Sequence, residues 1–168
     1  MSEEQSQQAM AGEQAQPQFQ LQKIYTKDMS FELPNAPQVF QETGQAEVNL
    51  NLSQRVNNID ETTYEVILSV TVTAVSNEKT SYLAEVHQAG LFTISGLPEP
   101  QLQGALNTLC PHTLFPFAAR SITDMVAAGG FPPLVLQPIN FEQVYAQRMS
   151  QASAQADGAA DMEVQGNA

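Results

Sequence analysis

The stretch Tyr64–Ile94, YEVILSVTVTAVSNEKTSYLAEVHQAGLFTI, decides how the chain folds. In its first half Tyr64, Val66, Leu68, Val70 and Val72 alternate with Glu65, Ile67, Ser69, Thr71 and Thr73. A period of two puts an aliphatic face and a mostly polar face on one strand. Ser76, Asn77 and Glu78 then predict a tight turn. In the second half Tyr82, Ala84, Val86, Phe92 and Ile94 fall on one side, and Leu83, Glu85, His87 and Leu91 on the other. The stretch reads as an antiparallel hairpin.

Upstream, EVNLNLSQRV alternates Val48, Leu50 and Leu52 with Glu47, Asn49 and Asn51, and Asn57, Asn58 and Asp60 make a turn into the hairpin. Short connections predict an antiparallel meander of these three strands. A further strand lies in FQLQKIYTKDMSFELPNAP, Phe19–Pro37. Phe19, Leu21, Tyr25, Met29, Phe31 and Leu33 share one register; Gln20, Gln22, Thr26, Asp28, Ser30 and Glu32 share the other, with Ile24 an exception. Lys23 and Lys27 break the apolar register, as at a sheet edge or where a strand leaves the sheet. Pro34 and Pro37 end the pairing, and Gln38 to Gln45, with Gly44 near its far end, forms a loop long enough for a crossover.

Every strand carries acid on its polar register: Asp28 and Glu32, Glu47, Glu65, Glu85. If the strands share that face, it is acidic, with Ile67 and Leu83 among the carboxylates. Two readings fit: a solvated face that keeps the protein soluble, or a contact surface for a basic partner. Asp28 and Glu32 stand four residues apart, about 13 Å along a strand, too far to flank one bond as acid and base.

After Gly96, Pro98 and Pro100 the period changes. Leu102, Leu106 and Leu109 sit at helical spacing, Cys110 and Pro111 interrupt, and a longer helix carries Leu114, Phe115, Ala118, Ile122, Met125 and Val126 as one stripe before Gly129 and Gly130. Phe131–Pro138, FPPLVLQP, is an extended connector. Asn140 is a candidate N-cap, with Gln143 three residues on, for a last helix whose stripe is Phe141, Val144, Tyr145 and Met149. Composition assigns residues 1–17 and 156–168 to flexible tails around one domain at 18–155.

The formal net charge of −12, from 18 acidic and 6 basic residues, excludes nucleic acid as a partner. The single cysteine, Cys110, excludes an internal disulfide, and the first residues lack the pattern of a secretory signal, so a cytoplasmic location is expected. No apolar run approaches the roughly 18 residues of a membrane span. Two histidines and one cysteine leave little for catalysis: Cys110-Pro111-His112 has no second ligand pair, so no catalytic, metal or cofactor site is expected.

Three blocks, IYTKDMSFELPNAP (Ile24–Pro37), CPHTLFPFAARSITDMV (Cys110–Val126) and GGFPPLVLQPINFEQVY (Gly129–Tyr145), together with the hairpin strands, resemble the SecB family of bacterial protein-export chaperones over about Phe19 to Arg148. The resemblance implies an α+β fold, a four-stranded antiparallel sheet with two helices packed on one face, assembled as a homotetrameric dimer of dimers. It implies a chaperone that holds unfolded precursor proteins in apolar grooves and delivers them to the translocation ATPase SecA. The family's SecA contact maps onto Asp28, Glu32, Leu83 and Glu85. Its client groove maps onto Phe40, Val48, Leu50, Leu52, Phe141, Val144 and Tyr145. Its oligomer interface, with long helices between two sheets, maps onto Leu114, Ala118, Ile122, Met125 and Val126. The chain departs from relatives that carry a tryptophan in the crossover loop: it has none, and Gly44 lies in that neighbourhood. The competing readings are a SecB-like holdase serving a toxin–antitoxin pair, a small acidic enzyme, and a purely structural oligomer.

Overall fold

The computed structural model describes the backbone of residues 16–164 and the side chains of residues 16–156. Most of the N-terminal tail expected at 1–17, and the end of that expected at 156–168, lie outside the described residues. Four antiparallel strands, β1 (Gln18–Glu32), β2 (Glu47–Asn58), β3 (Thr63–Ser76) and β4 (Lys79–Ser95), form one sheet in the order β1-β4-β3-β2. The meander of β2, β3 and β4 is as the alternation predicts, and β1 crosses over to pair with β4. Asn77 and Glu78, at φ 50° and 63°, turn β3 into β4 by the doubly left-handed geometry that matches strand twist. At the other end the Asp60 carboxylate accepts from the Thr62 and Thr63 amides at 3.0 and 2.8 Å.

Side chains at even positions of β3 and β4 make the core face. Val66, Val70, Val72, Ala84, Val86 and Phe92 have no exposure at all. Helix α1 (Glu99–Asn107) breaks at Thr108, and α2 (Leu109–Ala128) starts with Pro111 in its first turn, where a missing N–H costs nothing. α2 lies across β3 and β4. Its close approach depends on Gly90: a Cβ there would stand 2.6 Å from the Phe92 ring and 2.9 Å from Leu114.

The stripe Leu114, Ala118, Ile122, Met125 and Val126 is the core of this single protomer, the first three and Val126 fully buried against the chain's own sheet. It is therefore not free to form the oligomer interface that the resemblance assigned to it. A sheet with one apolar face must cover it, and α2 is the covering layer. Only the opposite side of α2, with Phe117 half exposed, is left to meet a partner.

α3 (Phe141–Val164) is capped as its sequence predicts, the Gln143 amide donating to Asn140 Oδ1 at 3.0 Å. It continues beyond Gln155, further than its composition suggests. Its start is anchored through Phe141 against Phe115 at 5.9 Å, Val144 and Tyr145 are half-buried, and Met149 is exposed. None of the described helices is long and apolar enough to cross a membrane.

The edge strand β1 departs from the uniform alternation read from its sequence. Pairing shifts by one residue between Leu21 and Lys23 and again between Thr26 and Asp28, so Gln22 and Lys27 are β-bulges. Phe19, Leu21, Met29 and Phe31 point to the helix side as expected. Between the bulges the faces are exchanged: Ile24 and Thr26 pair with Gly90 and Gln88 on the helix side, and Tyr25 with Ala89 on the outer side. Two shifts cancel, which returns Asp28, Ser30 and Glu32 to the outer face. The lysines expected to mark an edge thus stand beside or on the bulges of an edge strand.

Candidate functional site: an outer acidic face and an inner apolar edge

On the outer face, Glu32 sits opposite Leu83, Ser30 opposite Glu85, and Asp28 opposite His87. Asp28, Glu32, Leu83 and Glu85, widely separated in sequence, therefore form one contiguous patch on two neighbouring strands. Asp28 and Glu32 are exposed. β3 continues the patch: Glu85 accepts from Thr71 Oγ1 at 3.0 Å and pairs with His87 Nε2 at 2.7 Å, and His87 Nδ1 meets Ser69 Oγ at 3.0 Å. The neutral His87 tautomer that donates to Glu85 leaves Nδ1 to accept from Ser69. These bonds, His87 first and Thr71 second, hold the Glu85 carboxyl below the usual carboxylate range.

Beside the patch Glu65 is a buried hub. It accepts from Tyr25 Oη at 2.5 Å, Lys27 Nζ at 2.7 Å and Asn57 Nδ2 at 2.8 Å, joining β1, β3 and β2. The Lys27 bond foremost, then Tyr25 and Asn57, lower the Glu65 carboxyl to about 2. Burial and the neighbouring carboxylate push the Tyr25 hydroxyl up to about 12. Sequence alternation placed Glu65, Ser69, Thr71 and His87 on the polar registers with the acids, but not Tyr25 or Lys27 beside them. Only the double break at Ile24 and Lys27 hinted that the middle of β1 was out of phase.

The helix-side face of edge strand β2 is apolar and half covered. Val48 and Leu50 keep 41% and 42% of their surface exposed, and Leu52 is half-buried. Val48 opens onto a cavity of ≈ 480 Å³ whose wall includes Phe40, Gly44, Tyr82, Phe131 and Leu134. Phe131 stacks between Phe40 and Tyr82, with ring centroids 5.3 and 4.9 Å apart. Gly44 places no side chain in this space. The sequence read Phe131–Pro138 only as a connector; two prolines forced into extended backbone beside an aromatic were the available sign of a wall.

Phe40, Val48, Leu50 and Leu52 are thus brought to one edge. Phe141 is buried at 6% exposure and lines a separate cavity with Leu109, His112 and Ile139, while Val144 and Tyr145 are half-buried on the same helix. Cys110 is fully buried, which pushes its thiol up to about 12, while His112 is exposed. Among the described residues no group of three or more His, Cys, Asp or Glu side chains is placed to hold a metal ion.

The profile of the family described as "Preprotein translocase subunit SecB" matches residues 12–152. The protein-export protein SecB of Xanthomonas euvesicatoria is 46% identical over 160 residues, 95% of this chain and 94% of the relative. That of Stenotrophomonas maltophilia is 48% identical over 154 residues, 90% of each chain. A solved structure of a SecB-like chaperone from Mycobacterium tuberculosis, in complex with a peptide from an antitoxin, superposes with a TM-score of 0.58 over 72% of this chain and 87% of that one. At 18% identity it speaks to the fold alone. A four-stranded sheet in this order, an outer acidic patch, and identity near one half along almost the whole length lead to one conclusion: the chain belongs to the SecB family.

Proposed function

We propose that this protein is a cytoplasmic export chaperone that holds unfolded precursor proteins along the apolar edge of β2 and docks onto SecA through Asp28, Glu32, Leu83 and Glu85. The observation that carries the reading is the division of labour between the two sides of one sheet. The apolar row Val48, Leu50 and Leu52 faces the helix side, and the acidic patch faces away from it. Holding an unfolded segment requires no chemistry, only apolar area to cover. Each contact contributes about 25 cal/mol per Å² buried, and several weak sites together hold a long chain. Three carboxylates around Leu83 suit a cationic partner with an apolar anchor.

Assembly as a dimer of dimers is supported by what the protomer leaves uncovered. Phe117 is 50% exposed and flanks a cavity with Ile24, Pro116 and Arg120, next to the open edge of β1. A sheet edge and an aromatic surface together are features that a second copy would cover.

The test is a paired measurement on Asp28→Ala/Glu32→Ala. The variant is expected to suppress aggregation of a denatured precursor as the parent does and to lose affinity for SecA. Unchanged SecA affinity would remove the docking assignment, and no suppression by the parent at stoichiometric amounts would remove the chaperone reading.

A further inference from the structure

We infer that Glu65, which is not itself in the docking patch, is a positioning residue that presents Asp28 to the partner. The bulge at Lys27 puts Lys27 and Asp28 side by side on the outer face, opposite the single residue His87. A cation beside a docking carboxylate would neutralise it. Glu65 prevents this by drawing the Lys27 ammonium to 2.7 Å, away along the sheet, and by taking the Tyr25 hydroxyl at 2.5 Å from the other side of the bulge. Tyr25 pairs with Ala89 on β4, and its hydroxyl reaches across β4 to Glu65. Asn57 fastens the second carboxylate oxygen from β2 at 2.8 Å.

The other half of the patch is held by different means. Phe31 packs on Tyr82, with ring centroids 5.9 Å apart, and against Gly129, and this fixes the register at Glu32 independently of Glu65. Removing the Glu65 charge therefore acts on Asp28 and leaves Glu32 in place.

The inference rests on the SecA-docking reading, and the experiment separates the two. SecA affinity is measured for Asp28→Ala, Glu32→Ala and Glu65→Gln, and for Glu65→Gln combined with each of the other two. Glu65→Gln alone is expected to weaken binding about threefold, the scale of one exposed charge pair. It should weaken it no further when Asp28 is already alanine, and by the same factor again when Glu32 is alanine. Glu65→Asp, which keeps the charge but withdraws the carboxylate from its contact with Lys27, should show the same background dependence with a smaller loss, and covers the case in which the glutamine variant does not fold. Retention of a denatured precursor should be unchanged throughout. An effect of Glu65→Gln and Glu65→Asp that is equal in both backgrounds, or no effect, would make Glu65 a purely structural residue. Silence of Asp28→Ala and Glu32→Ala would overturn the docking reading, and the inference with it.

Discussion

Replacing Val48 and Leu50 together by serine should separate client holding from folding. Both side chains stand on the helix-side face of β2, paired across to Ala74 and Val72, and each keeps about two-fifths of its surface in solvent. Full burial of such a side chain contributes about 1.5–3 kcal/mol, so covering the exposed two-fifths gives a bound segment about 0.6–1.2 kcal/mol per residue. The pair is then worth about 1–2.5 kcal/mol, roughly a fivefold to seventyfold loss of client affinity. The fold should lose at most about 2 kcal/mol, about 1 kcal/mol of propensity per site, and stay folded under assay conditions, because Val72 and Ala74 on the neighbouring strand remain buried under the helix layer. The assay is the concentration of protein that halves aggregation of a chemically denatured precursor, with urea unfolding and SecA affinity as controls. A midpoint within twofold of the parent would refute the groove assignment. So would a loss that appears only under conditions where the variant has begun to unfold.

Three further outcomes follow from the packing. Ile122→Ala should destabilise by about 2–5 kcal/mol in urea unfolding, as for a fully buried core aliphatic; a cost well under 1 kcal/mol would mean that the α2 stripe is not this protomer's core. Gly129→Ala would bring a Cβ to 2.3 Å from the Phe31 ring and should cost about 1–3 kcal/mol, largely recovered by adding Phe31→Leu; an additive pair would place the strain elsewhere. Glu65 contributes stability in full above its ordinary value of 4.5 and loses it as pH falls through its folded value of about 2. The stability gap between the parent and Glu65→Gln should therefore be widest near neutral pH and narrow below about 4.5, so equal gaps in urea titrations at pH 6 and pH 3 would argue against the hub.

The sheet was legible because period-two alternation runs through β3 and, outside Gln88–Gly90, through β4, and a half-buried strand leaves no other pattern. β1 was legible only at its ends. A bulge adds one residue without changing composition, so Tyr25 and Ile24 exchange faces with no signal except an aliphatic residue in the polar register. The acid patch survived because two such shifts cancel before Asp28. The α2 stripe announced burial but not its partner: periodicity says that Ile122 is covered, not whether its own sheet or a second copy covers it. The groove wall at Phe131 was hidden for a related reason, since extended, proline-rich backbone carries no periodicity to read.

The central claim is that client and SecA occupy opposite sides of one sheet and so bind together. Sedimentation of the protein preloaded with a denatured precursor and then titrated with SecA tests it most directly. A ternary complex should form with SecA affinity close to that of the unloaded protein, and be lost on Asp28→Ala/Glu32→Ala while the client stays bound. Release of the precursor in proportion to SecA added, with no ternary species, would contradict the account.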